Sequence, residues 1–110
     1  MTYKDKLQDV RWQKKRLELL EGANWRCQHC GSDKNQLQVH HLWYFRFTDP
    51  WDYADSLYVV LCKDCHVERQ EAETRLYSSI AIATRLMPGK RLDAIGASLI
   101  PQAFKEMDSK

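Results

Sequence analysis

No apolar run in this chain approaches the ~20 residues that a membrane-spanning helix needs. Its opening, Met-Thr-Tyr-Lys-Asp-Lys, is charged where a secretory leader carries an apolar stretch. A membrane partner is therefore not expected, and a cytoplasmic, reducing setting is. Repeats, linkers and low-complexity tracts are missing as well, so nothing divides the chain into modules. Charge of one sign is scarce: 17 Lys and Arg against 15 Asp and Glu leave +2, a balance that argues neither for nor against nucleic acid. Cysteine is scarce too. The four present fall into two Cys-x-x-Cys pairs, with none left over for a disulfide framework, and in a reducing compartment such pairs are more often zinc ligands than disulfides.

At 110 residues and 13.0 kDa the chain is expected to form one domain. A core of this size is only moderately stabilising on its own, so a metal cross-link would help. Charge is unevenly spread. Residues 1–26 carry seven basic and four acidic side chains, residues 27–66 three and five, and residues 67–110 seven and six. The basic excess sits in the first segment, and the acidic centre holds the metal-type ligands.

Residues 5–21 are expected to form an amphipathic helix with Leu7, Val10, Leu17 and Leu20 inward, ended by Gly22. Arg11, Lys14, Lys15 and Arg16 fill most of the remainder. They form either a solvated face or a phosphate-contacting surface of salt-dependent affinity. Residues 37–42 alternate as a short strand, and Leu57–Leu61 make a second strand, so the centre is expected to be a hairpin with a long connection. Seven of the twelve aromatics crowd between Trp43 and Tyr58; Arg46 among them is a candidate phosphate contact. A helix is expected from His66 to about Leu86, with Leu76, Ile80, Ala83 and Met87 as its buried stripe, stopped by Pro88-Gly89. Beyond it lies a helical tail over 90–107, broken or kinked at Pro101.

Cys27, Cys30, Cys62 and Cys65 supply the ligand count of a tetrahedral structural zinc, each pair biting the ion from a tight turn. Such a closed site does no Lewis-acid chemistry, so catalysis needs a second ion. His40 and His66 are the available ligands for it, and His41, with an ordinary pKa near ~6.5, suits a proton acceptor. Neighbours in a regular strand point to opposite faces, which requires His40 and His41 to sit at a strand end or an irregular turn. His29, inside the first knuckle, reads as an exposed loop residue.

Taken together, Cys27-x-x-Cys30-Gly31, Leu37-Gln-Val-His40-His41-Leu42, Leu57–Leu61 and Cys62-x-x-Cys65-His66 resemble the HNH endonucleases over roughly residues 24–70. The resemblance implies an α+β fold with a small ββα-metal core over 24–86, a lead-in helix over 5–21 and C-terminal helices. It implies that His40 and His66 hold a catalytic Mg²⁺ or Mn²⁺, that His41 is the general base, and that the four-thiolate Zn²⁺ is structural. DNA is the implied substrate, with Arg11, Lys14, Lys15 and Arg46 on its phosphates. The family's middle asparagine, which pins the loop ahead of the last knuckle, has no counterpart here. Asp55, Ser56 or the aromatic cluster is expected to replace it, and Gln70 stands where many relatives have a further histidine. A monomer would nick one strand; a weak homodimer would form through the apolar segment from Leu92 to Phe104. The competing expectations are a zinc-stabilised nucleic-acid-binding module without catalysis, and a zinc-ribbon-like protein-interaction domain.

Overall fold

The computed structural model describes residues 1–34 and 36–99 and is an α+β protein. It divides into two compact units, Met1–Arg69 and one that begins at Gln70. In the first unit, helix α1 (Tyr3–Leu7) opens with a reciprocal cap: Thr2 Oγ1 accepts from the Asp5 N–H at 3.1 Å, and the Asp5 carboxylate accepts from the Thr2 N–H at 3.0 Å. Asp9 then caps a separate helix α2 (Val10–Gly22), accepting from the Arg11 N–H at 2.8 Å.

That break overturns the expected single helix over 5–21 and half of the inward face assigned to it, for Leu7 still packs on the core and Leu20 is buried, but Val10 and Leu17 are not. Val10 is 77 % exposed and Leu17 51 % exposed, while Trp12 and Leu20 are buried and Leu19 is half-buried. With α2 starting at Val10 behind its Asp9 cap, the residues that share a face are Trp12, Leu19, Leu20 and Ala23, so a wide indole joins two leucines on the inward side.

After α2 the chain turns through Asn24 and Trp25, both at left-handed φ (57° and 56°), into the first cysteine knuckle. Strand β1 (Leu37–His41) pairs antiparallel with β2 (Tyr58–Cys62), Leu37 facing Cys62 and His41 facing Tyr58. The second strand runs one residue further than expected, so its last residue is itself a cysteine ligand candidate. A 3-10 turn (Asp55–Leu57) leads into β2, and the Leu42 N–H donates to the Leu57 carbonyl at 2.9 Å, closing the neck of the connecting loop. Two small cores flank the hairpin. One holds Trp12, Tyr53 and Tyr58, and the other Cys27, Leu61 and Cys62.

Helix α3 (Lys63–Ala83) follows Cys62 directly. It ends before Leu86, because Thr84 turns its hydroxyl back onto the Ile80 carbonyl and the Met87 N–H closes onto Thr84. No residue of α3 is buried, and its expected apolar stripe is exposed at Leu76 (55 %) and Ile80 (42 %), since nothing among the described residues covers it. Helix α4 (Gly89–Leu99) starts where the Pro88 carbonyl accepts from Arg91 and Leu92. The break anticipated at Pro101 and the segment through Phe104 lie outside the described residues. Among the described residues, no helix is long and apolar enough to cross a membrane.

Candidate metal centre and active site

The first knuckle is built by backbone bonds around Cys27: its N–H donates to the Ser32 carbonyl at 2.9 Å, and its carbonyl accepts from the Gly31 N–H at 2.9 Å. Gly31 closes this turn at φ +77°, where a Cβ would strain the backbone. The knuckle is sewn to β2 through Gln28, whose N–H donates to the Val60 carbonyl and whose side-chain oxygen accepts from the Val60 N–H, both at 2.8 Å. The second knuckle needs no loop of its own, because Cys62 ends β2 and Cys65 lies in the first turn of α3.

All four Sγ atoms lie within 4.8 Å of one another, and those of Cys30 and Cys62 are 3.8 Å apart. A tetrahedron with ~2.3 Å Zn–S bonds has an edge of about 3.8 Å, so the donor set fits a four-thiolate metal such as zinc. Electrostatics agree. Burial opposes ionisation of Cys27, but backbone N–H groups from Cys30, Cys62 and His29 hold its pKa down at about 6. Cys65, hydrogen-bonded to Cys62 and crowded by the other sulfurs, is pushed well above the thiol range. Thiolates gathered this closely repel one another, and a bound cation removes that repulsion.

Beside the quartet, the rings of His40 and His66 meet edge to face with centroids 5.0 Å apart. Two imidazoles on one ion at right angles, with bonds of ~2.1 Å, would place their centres about 4.6 Å apart, close to this spacing. His40 is buried in β1, and His66 is half-buried one turn into α3. Among the described residues no third His, Cys, Asp or Glu joins them.

His41 is the last residue of β1 and points the other way from His40. It is 5 % exposed, stacked between Trp12 (centroids 5.0 Å) and Tyr44 (5.1 Å), with the edges of Tyr53 and Tyr58 closing the sides. Its Nε2 lies 3.1 Å from the Pro50 carbonyl. A carbonyl only accepts, so Nε2 carries the proton and Nδ1 holds the lone pair. Burial keeps the imidazole pKa below the ordinary histidine value, with His40 acting in the same sense and the Pro50 carbonyl opposing.

The loop over residues 42–57 is long for an ordered connection, and tyrosines hold it. The Tyr58 hydroxyl donates to the Pro50 carbonyl at 2.6 Å and accepts from the Tyr53 N–H at 3.2 Å; the Tyr53 hydroxyl accepts from the Phe45 N–H at 3.0 Å. Asp55 is turned outward on the 3-10 turn in an ion pair with Lys15, and Ser56 is exposed. Of the alternatives expected to hold this loop, its bonds run to the aromatic cluster, through the hydroxyls of Tyr53 and Tyr58, which sequence reasoning had not singled out.

The basic residues of α2 divide. Arg11 is tied to both oxygens of Asp9 and lies over the Trp51 ring at 4.3 Å, Lys15 is paired to Asp55, and Lys6 from α1 is paired to Asp49 at 2.7 Å. These cations fasten the loop to the helices. Lys14 and Arg46 are exposed and, among the described residues, form no ion pair; Gln70 is exposed on α3, and His29 is exposed as expected. Comparison of the chain with protein-family models, with curated proteins and with solved structures gave no match.

Proposed function

We propose that this chain is a metal-dependent DNA endonuclease of the HNH kind, with β1, β2 and the start of α3 as a ββα-metal core. The approach of the His40 and His66 rings to 5.0 Å at the edge of the cysteine quartet is the observation that supports it most. In this reading Cys27, Cys30, Cys62 and Cys65 hold a structural Zn²⁺ that fixes the start of α3, and therefore His66, against the strand carrying His40. A Mg²⁺ or Mn²⁺ bound there would stabilise charge developing on a phosphate oxygen. Among the described residues no third His, Cys or carboxylate joins the two imidazoles, which leaves room for water and phosphate and suits a hard, hydrated ion.

His41 supplies the base. Its ring is held neutral by burial and its tautomer is set by Pro50, so Nδ1 takes the proton of a water that attacks phosphorus while the ester oxygen on the far side leaves. Tyr58 and Tyr53 do for the loop what the family's asparagine does elsewhere. One such site per chain nicks one strand per encounter, in a cytoplasmic setting.

The test is conversion of supercoiled plasmid to nicked circles across Mg²⁺, Mn²⁺, Ca²⁺ and Zn²⁺, with the parent and His41→Ala in parallel. Nicking with Mg²⁺ or Mn²⁺ is expected, together with a loss of roughly 10²–10⁴-fold in His41→Ala. Equal rates would remove His41 as the base. The second reading, a nucleic-acid-binding module without catalysis, is favoured by the 5 % exposure of His41. It predicts salt-sensitive DNA binding by a protein that cuts with none of the four ions.

A further inference from the structure

We propose that Phe47 is a wedge that enters the stack of DNA bases, an inference that rests on the nucleic-acid reading above. Phe47 has φ +58° and its side chain is fully exposed, at 104 %. A left-handed φ is unfavourable for any residue with a Cβ and is an outlier for a bulky one. A benzyl group left in water gains nothing from burial in return. Two local penalties thus coincide at a tip where glycine would avoid both.

The tip stands on a fastened stem. Thr48 Oγ1 donates to the Arg46 carbonyl at 3.2 Å across the turn, the Phe45 N–H is held by the Tyr53 hydroxyl, Asp49 is paired with Lys6, and the Pro50 carbonyl is gripped by Tyr58 and His41. The ring is therefore displayed from a fixed base, three residues from the carbonyl that orients His41.

Its surroundings select the partner. Of the loop's carboxylates, Asp49 and Asp55 are matched by Lys6 and Lys15, and Asp52 lies in the field of Arg11. Arg46, adjacent to the ring, is exposed and forms no ion pair among the described residues. A fully exposed flat ring with an available guanidinium beside it complements a target that is planar, apolar and edged by negative charge. Stacked bases with their phosphates meet that description, and a protruding phenyl is one of the side chains that unstack a base step.

The experiment uses a short duplex carrying 2-aminopurine, titrated at low salt without added Mg²⁺ or Mn²⁺, with the parent, Phe47→Ala, Phe47→Gly and Phe47→Tyr. The parent and Phe47→Tyr are expected to raise 2-aminopurine fluorescence several-fold. Phe47→Ala and Phe47→Gly are expected to lose that rise and to bind about 10-fold more weakly, the scale of one lost base–aromatic stack. Phe47→Gly should melt at or above the parent temperature, because glycine is at ease at this φ, which separates lost stacking from lost folding. If Phe47→Ala and Phe47→Gly bind and unstack like the parent, the wedge is wrong, and plasmid nicking by the parent would still uphold the nuclease. A Phe47-dependent rise without nicking upholds the wedge and overturns the nuclease. A parent with no DNA affinity overturns both.

Discussion

Tyr58 faces His41 across the hairpin, and both donate to the same acceptor, the Pro50 carbonyl, at 2.6 and 3.1 Å. One loop oxygen thus ties the candidate base to the strand opposite, and the Tyr58 hydroxyl in turn accepts the Tyr53 N–H. The base, the loop that crosses it and the second strand are joined at a single point.

Removing that hydroxyl is informative. Tyr58→Phe keeps the buried ring but leaves the Tyr53 N–H without its acceptor, and a buried group so orphaned costs about 1–3 kcal/mol. Urea unfolding should show a loss in that range with an unchanged m value. Plasmid nicking should fall by more than the folded fraction does, since the Pro50 carbonyl is then held by His41 alone.

The same hydroxyl gives a pH dependence. Burial raises the Tyr58 pKa to about 12 from the ordinary 10. The fold therefore prefers the neutral phenol: its contribution is complete below pH 10 and is lost as pH rises toward 12, because the unfolded chain releases the proton first. The difference in urea midpoint between the parent and Tyr58→Phe should be constant from pH 7 to 9 and shrink progressively above pH 10. A difference that grew with alkalinity would mean that the phenol is not held neutral.

The two metal sites should separate by affinity. The quartet has four soft donors already gathered, and comparable sites bind zinc with on the order of 10–16 kcal/mol of free energy that is also folding energy. Protein purified from cells is expected to carry one zinc per chain by elemental analysis, and a strong chelator should collapse the near-ultraviolet circular dichroism of the buried aromatics. His40→Ala and His66→Ala should keep that zinc and lose a weaker Mn²⁺ site, seen by paramagnetic relaxation of water. Loss of zinc in either variant would tie the histidines to the quartet.

The quartet was readable from spacing alone, because two Cys-x-x-Cys pairs specify their own local turns and need only the hairpin to bring them together. The His40–His66 meeting follows from the same constraint: His66 is the next residue after Cys65, and His40 lies on the strand facing it. What the sequence did not disclose depends on the path of the chain between those anchors. Trp12 stacks on His41 only because Asp9 restarts the helix and turns the indole inward, whereas a leucine count favours Val10 and Leu17, which lie in solvent. The bonds of Tyr53 and Tyr58 to the loop required knowing where Pro50 passes. A hydroxyl carries no periodicity, so no pattern marks its partner in advance.

That distinction between anchor and bystander can be tested at Asp55, one of the positions expected to stand in for the family's asparagine. Its carboxylate points outward, 78 % exposed, and its partner is Lys15, whose ammonium lies over the Tyr58 ring, 5.6 Å from its centre. A solvent-facing pair of this kind contributes roughly 0–1 kcal/mol. Asp55→Ala should therefore lower stability by less than about 1 kcal/mol at low salt and by nothing measurable at high salt, where the pair is screened. Nicking should stay within about twofold of the parent, since 1 kcal/mol spread over the whole fold leaves the Pro50 carbonyl and its two donors in place. A loss of nicking as deep as that of Tyr58→Phe would return the loop-pinning role to Asp55 and make the tyrosine network packing alone.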